Sequence, residues 1–154
     1  MAQTTGAENF VAATVELNIT GTTFTAYNGT LSAVSVSGGE RNTGTAWTAD
    51  TDTPITRGGK RNPLEITVRF VYSQTSSEFY KVLLTQYATS GGGKCNMRYC
   101  PGGSSGDDIF TTNTATGMTI LTALPYPSGE VETGEIIMIE ATWVTPNIVQ
   151  AAKA

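Results

Sequence analysis

Histidine is missing altogether from the 154 residues of this chain. Its absence removes the commonest general base, the Ser–His–Asp class of triad and the most used transition-metal ligand. Cysteine is nearly as scarce. Cys95 and Cys100, in Cys95-Asn96-Met97-Arg98-Tyr99-Cys100, are too few ligands for a structural zinc site and wrongly spaced for a redox dithiol. In a strand their odd separation sends the two side chains to opposite faces, so two buried thiols are expected rather than a mutual disulfide, as suits a reducing compartment. Charged residues make up only 14% of the chain, and the formal net charge is −4. That balance argues against a monomer that grips nucleic acid by its phosphates. No apolar run approaches the roughly eighteen residues that a membrane span needs, and the N terminus lacks a cationic-plus-apolar signal region. No membrane is expected as partner or address, and the glycosylation triplets at Asn18 and Asn28 are expected to be chance. No catalytic group, metal or cofactor is expected.

What is abundant is Thr, Ser and Gly, a composition that favours turns and half-buried strands. By length the chain is one domain with one core. Residues 53–88 read most clearly. After Arg57-Gly58-Gly59-Lys60-Arg61-Asn62-Pro63, residues 64–72 read as a strand, with Leu64, Ile66, Val68, Phe70 and Tyr72 on one face and Glu65, Thr67, Arg69 and Val71 on the other. Thr75-Ser76-Ser77-Glu78 fits a capping box, which predicts a helix starting at Thr75. Phe79, Val82, Leu83 and Tyr87 supply its apolar stripe, and Ser90-Gly91-Gly92-Gly93 its stop. It is expected to be the one helix of the chain, packed on a sheet.

Along the chain, residues 1–10 read as an arm without pattern. Residues 13–20 alternate as a first strand with Val15, Leu17 and Ile19 on one face. Residues 24–37 read as a long β-rich stretch broken at Asn28-Gly29 by a hairpin or bulge. Residues 38–62 have little periodicity, a lone Trp47, and cations at Arg41, Arg57, Lys60 and Arg61. They read either as a disordered surface insertion or as an extended hairpin that orders on contact with a partner subunit. Further strands are expected over 94–99, 109–112, 117–124 and 135–145, the last covered on both faces except at Glu140. Residues 147–154 read as a short, frayed tail. The glycine-rich loop 101–108 lacks the lysine and the following helix of a phosphate cradle, and Asp107-Asp108 lacks the spacing of a calcium loop.

This succession resembles the major tail tube protein family of long-tailed bacteriophages. The resemblance is carried by Ile55-Thr56-Arg57-Gly58-Gly59-Lys60-Arg61-Asn62-Pro63-Leu64-Glu65-Ile66-Thr67-Val68-Arg69-Phe70-Val71-Tyr72, by Arg98-Tyr99-Cys100-Pro101-Gly102-Gly103 with Gly106-Asp107, and by the turn Pro127-Ser128-Gly129-Glu130. It spans residues 11–145, and no single motif in it is diagnostic. It implies a mainly β fold, a single-domain β-sandwich or half-barrel with one flanking helix, whose inner sheet joins those of its neighbours in a ring of six. Stacked rings then form the hollow tube of a virion tail, assembled from subunits in the host cytoplasm. DNA passes through without specific binding, and the implied partners are further copies and the tail tip, tape measure and terminator proteins. Within that frame Trp47, Arg57, Lys60 and Arg61 are the expected contacts between subunits or rings. Glu16, Glu65 and Glu140, on polar strand faces, are the candidate acids lining the bore, where they would repel phosphates. Two other readings stand beside it: a tube subunit of a contractile injection device, and a β-sandwich module binding glycan or protein through Tyr27, Trp47 and Tyr126.

Overall fold

Alternation along residues 64–71 decides where the core lies, because every second side chain of a strand points to the same face. In the computed structural model, which describes residues 10, 12–19, 23–50, 52–89, 95–114 and 118–154, Ile66, Val68 and Phe70 are fully buried while Glu65 and Arg69 are exposed. In chain order the elements are β1 (Thr14–Asn18), β2 (Thr25–Ala26), a 3-10 turn (Asn28–Thr30), β3 (Leu31–Gly38), β4 (Arg41–Ala46), β5 (Ile55–Arg61) and β6 (Leu64–Val71). There follow helix α1 (Phe79–Tyr87), β7 (Asn96–Cys100), β8 (Asp108–Thr112), β9 (Ile120–Ala123), β10 (Met138–Thr145) and β11 (Ile148–Ala152). The fold is mainly β, as the composition implied.

The strands form two packed sheets and a separate hairpin. One sheet has the order β11-β8-β7-β1-β2, the other β3-β6-β10-β9, and β4 pairs only with β5. Each pairing is antiparallel. Between the sheets, Val15, Leu17 and Met97 of the first meet Ile66, Val68, Phe70, Leu121, Ile139, Ala141 and Trp143 of the second in one cluster. Helix α1 closes it with Phe79, Tyr80 and Leu83. Phe79 is the hinge of this packing: its ring meets Phe70 edge-on at 4.6 Å and Tyr27 at 5.3 Å, and reaches Trp143 at 6.4 Å. Such ring pairs add to the area they bury.

Several expectations from the sequence need correction. No capping box forms. The helix begins at Phe79, with Glu78 as an N-cap that makes no side-chain hydrogen bond. The hydroxyl of Ser73 instead accepts from the Thr75 amide, and the Glu78 amide donates to the Thr75 carbonyl, so these residues form a turn ahead of the helix. Residues 147–154 are not frayed. β11 pairs with β8 from Ile148↔Thr112 to Ala152↔Asp108, and Lys153 is pinned by its amide to the Asp107 carbonyl and by Nζ to the Gly103 carbonyl at 2.7 Å. Gly103, at φ +83°, is required where it stands, since a side chain there would collide with the Ala12 carbonyl. Strand β1 stops at Asn18, which leaves Ile19 40% exposed instead of in the core. On β10 the face away from the core is partly open, with Met138, Thr142 and Val144 half-buried and Glu140 exposed. The expected N-terminal arm, apart from an exposed Phe10, and the glycine stop after the helix lie outside the described residues.

Within residues 38–62, aperiodic in sequence, β4 and β5 form a hairpin. β4 and β5 pair from Arg41↔Arg61 to Ala46↔Ile55 with a bulge after Arg41. The stem is joined to the body where β3 ends and β6 begins, through the Gly39 amide to the Pro63 carbonyl and the Asn62 amide to the Glu40 carbonyl. Gly38 makes the corner at φ +82°. All residues of both hairpin strands are exposed, which is why no apolar period marks them.

Candidate assembly surfaces

The sheet β3-β6-β10-β9 has one face in the core and one turned outward. Glu65, Thr67, Arg69 and Val71 of β6 share the outer face with Met138, Glu140, Thr142 and Val144 of β10, as the rungs Glu65↔Val144, Thr67↔Thr142 and Arg69↔Glu140 require. The Thr67 and Thr142 hydroxyls lie 3.4 Å apart at its centre. Two of the three candidate bore acids, Glu65 and Glu140, are therefore on one surface, together with Arg69. Each is exposed.

Glu16 is elsewhere. It lies on β1 in the other sheet, 9% exposed, and its carboxylate accepts from Arg98 Nε at 2.6 Å and Nη2 at 2.5 Å. The register Glu16↔Arg98 puts the partners on adjacent strands, and the guanidinium also stacks over the Phe24 ring at 4.3 Å from its centre. Its charge is neutralised within the chain, so it does not belong with Glu65 and Glu140.

The edges of the same sheet are β3 and β9. β3 reads Leu-Ser-Ala-Val-Ser-Val-Ser-Gly over eight residues and β9 Ile-Leu-Thr-Ala over four. Neither carries a charge or a proline, the usual guards against pairing with another chain. The other sheet ends in β11 and the two-residue β2.

The predicted contact residues gather on the hairpin. Arg57, Lys60 and Arg61 lie on β5, Arg41 faces Arg61 across the ladder, and Trp47 follows β4 with 69% of its surface exposed. Ile55, 46% exposed, adds a second apolar side chain. Beyond the stem, Asp50 and Asp52 occupy the hairpin turn. Among the described residues no carboxylate forms a salt bridge with these cations; Arg41 reaches the Gly59 carbonyl at 3.3 Å.

Between β9 and β10 the expected turn at 127–130 runs on further than the sequence suggested, and the strand expected from residue 135 begins only at Met138. Residues 124–137 form no strand or helix, and they hold Glu130, Glu132 and Glu135 without a cation. Tyr126 is 81%, Val131 100% and Ile136 73% exposed. Three acids within six residues were legible as a charge cluster. Their place was not: the Tyr72 amide donates to the Ile137 carbonyl at 2.9 Å, which sets the segment at the end of the sheet where β6 finishes and β10 starts.

Elsewhere the chemistry is quiet. Of the three aromatics considered for ligand contact, Tyr27 is half-buried against Phe79, and burial raises its phenol pKa. The thiols of Cys95 and Cys100 are buried and unbridged, as their spacing suggested. Burial pushes the Cys95 thiol up to about 12, partly opposed by the nearby Trp143 indole. That indole N–H makes no hydrogen bond of good geometry and is left as a buried polar atom without a partner. Among the described residues no three Cys, Asp or Glu side chains converge as metal ligands, and no helix is long and apolar enough to cross a membrane.

No protein-family model and no curated protein matches the chain. Solved structures do. A chain of the PVC extracellular contractile injection system, from its sheath-tube complex in the extended state, superposes with a TM-score of 0.64 at 15% identity, covering 96% of this chain and 93% of the other. A chain from the tail of an empty GTA particle, refined with C6 symmetry, gives 0.65 at 14% identity over 96% and 100%. A chain from the sixfold-symmetrised baseplate of the anti-feeding prophage gives 0.65 at 7% identity over 99% and 98%. The chain thus shares its fold with these chains of contractile injection systems and a GTA tail, over at least 96% of its length.

Proposed function

We propose that this chain is a structural subunit that assembles with copies of itself into stacked rings, six subunits to a ring, forming the hollow tube of a phage-like tail. The observation that carries the proposal is the four-stranded sheet left open at both ends by uncharged, proline-free strands. Pairing β3 of one copy with β9 of the next is a heterologous contact, and repetition about an axis closes it into a ring. The free backbone groups along both edges then find partners, and the edges disappear. The C6 and sixfold symmetries of the similar particles support a count of six.

In such a ring the outer face of the sheet, with Glu65, Arg69 and Glu140, turns toward the bore. Each copy contributes two acids and one cation on β6 and β10. A ring of six then carries roughly six net negative charges per layer, repeated along the tube, so that duplex phosphates are repelled and the genome slides through during ejection. No catalysis and no cofactor enter this reading. The partners are further copies and the tail tip, tape measure and terminator proteins; the site is the virion tail, reached from the host cytoplasm. The tube of a contractile injection device is a second reading, favoured by the likeness to the PVC chain. The ligand-binding module loses Tyr27, which is packed against Phe79, while Trp47 and Tyr126 stay exposed.

Negative-stain electron microscopy of the purified chain over a range of concentrations tests the proposal. Hollow tubes or stacked rings of uniform width are expected. Discrete small particles at every concentration, even after addition of tail-tip complexes as an initiator, would refute it.

A further inference from the structure

Of the asparagines in the chain, only Asn28 is followed by glycine. The side-chain carbonyl carbon of an asparagine can close a five-membered ring with the next backbone nitrogen, a reaction within one chain that needs no second molecule to be brought up. Glycine at the second position leaves that nitrogen unshielded and its backbone free to turn. Here Asn28 and Gly29 are both exposed, and a Cβ built on Gly29 would meet nothing within 4 Å.

The fold holds the two reacting groups apart. Asn28–Thr30 is the 3-10 turn between β2 and β3, and the Leu31 amide donates to the Asn28 carbonyl while the Thr30 hydroxyl donates to the Tyr27 carbonyl at 3.1 Å. The Asn28 side chain is turned back to β1, where its Oδ1 accepts from the Val15 amide at 3.1 Å. Ring closure brings the Gly29 nitrogen into line with the Asn28 Cβ, a turn of roughly 90° about the Cα–C bond from the 3-10 range. The bonds from Leu31 and Val15 must therefore be given up first.

Little secures them on the side of β2. That strand has two residues, both exposed, at the edge of its sheet, and pairs only through Glu16↔Ala26 and Leu17↔Thr25. The Tyr27 amide adds one bond to the Val15 carbonyl at 3.0 Å. An exposed edge with so few bonds opens at a smaller cost than the whole domain. The Tyr27 ring on Phe79 and the pairing of β3 with β6 are the anchors between which the turn opens.

We propose that Asn28 is a site of spontaneous deamidation, gated by release of β2 from the sheet edge. The Gly29 nitrogen attacks Asn28 Cγ and gives up its proton. A C–N bond forms, the Cγ–Nδ2 bond breaks, and ammonia leaves with the proton, so the cyclic imide is reached without oxidant or reductant. Water then opens the imide at one of its two carbonyls. Opening at Cγ gives aspartate, which still offers Val15 an acceptor. Opening at the backbone carbonyl gives isoaspartate, which routes the main chain through Cβ and lengthens it by one atom just ahead of β3. Either product adds one negative charge.

Peptide mass spectrometry of the purified chain, aged at mildly alkaline pH with and without denaturing urea, tests this. In urea the peptide holding Asn28 should gain the amide-to-acid mass difference and split into aspartyl and isoaspartyl forms, and Gly29→Ala, which has room for its methyl group, should slow the gain by about tenfold or more. The folded chain should react by about tenfold or more slower than the unfolded, yet clearly faster than the unfolded rate multiplied by the globally unfolded fraction from urea titration, because β2 opens locally. No gain at Asn28 in urea, or a Gly29→Ala chain that reacts like wild type, would overturn the site and its chemistry. A folded chain that reacts as fast as the unfolded would overturn the restraint by Val15 and the turn. A folded rate equal to the product of unfolded rate and unfolded fraction would overturn the gating by β2.

Discussion

Raising the pH from 8 to 10 should destabilise the monomer through Cys95, and the size of the effect follows from its burial. The thiol is 1% exposed in the core beside Trp143, and burial lifts its pKa from the ordinary value of 9.0 to about 12. A raised acid pKa means that the folded chain holds its proton while the unfolded chain releases it. The stabilisation is complete below pH 9 and is lost as pH climbs toward 12. Near pH 10 the folded state binds about 0.9 proton more than the unfolded at this site. Integrated from pH 8, that costs about 1.4 kcal/mol, enough to lower Tm by about 3–6 °C in a domain of this size. Urea unfolding of wild type and Cys95→Ala at both pH values separates this thiol from other groups. Tyr80 and Tyr99 are also raised by burial and also oppose alkaline stability, but both chains contain them; Tyr27 is raised by burial and, to a lesser degree, by Cys95, and that lesser part is removed with the thiol. The Ala variant, weaker at pH 8, should lose about 1.4 kcal/mol less than wild type on going to pH 10. Parallel losses in the two chains would refute the argument, because they would show that Cys95 ionises in the folded state as readily as in the unfolded.

Phe79→Ala removes a fully buried ring that touches Phe70, Tyr27 and the Trp143 neighbourhood, and should cost about 3–5 kcal/mol in urea unfolding; a loss under 1.5 kcal/mol would mean that α1 does not close the core. Gly103→Ala faces both φ +83° and the Ala12 carbonyl, so a loss of 2 kcal/mol or more is expected by the same measurement, and a neutral result would refute the close approach. Edge pairing through β3 is checked with Val34→Pro and Ser35→Pro. Neighbouring residues of an antiparallel strand point their amides in opposite directions, so one proline interrupts the ladder to β6 and the other only the open edge. The variant that keeps a near wild-type urea midpoint should fail to form rings by electron microscopy; ring formation by it would refute β3 as the joining edge.

The alternating pattern of β1, β6 and β10 was legible because burial on one face leaves a period of two in the sequence, whatever the strand pairs with. Ile66, Val68 and Phe70, then Phe79 and Leu83, identified the core strand and the helix face that covers it, and the spacing of Cys95 and Cys100 foretold unbridged thiols. The helix start was misplaced because Ser73 and Thr75 use their side-chain and backbone groups in a turn, a competition that a capping-box pattern does not register. β4 and β5 were read only as one of two alternatives, since a hairpin exposed on both faces owes its strands to the ladder and leaves no apolar period.

Sequence alone determined the mainly β class, the core faces of its strongest strands and the helix face that covers them, because each depends on neighbours within a few residues. Tertiary structure decided the rest. β11 became a strand by pairing with β8, more than thirty residues earlier in the chain. Glu16 left the set of exposed acids because the register set Arg98 beside it, and Glu65 and Glu140 came together with Arg69 because β6 and β10 are adjacent. The same sheet order put the hairpin and the segment with Glu130, Glu132 and Glu135 at opposite ends of β6. Pairing between distant strands fixes those positions, and nothing local in the chain encodes which strand will lie beside which.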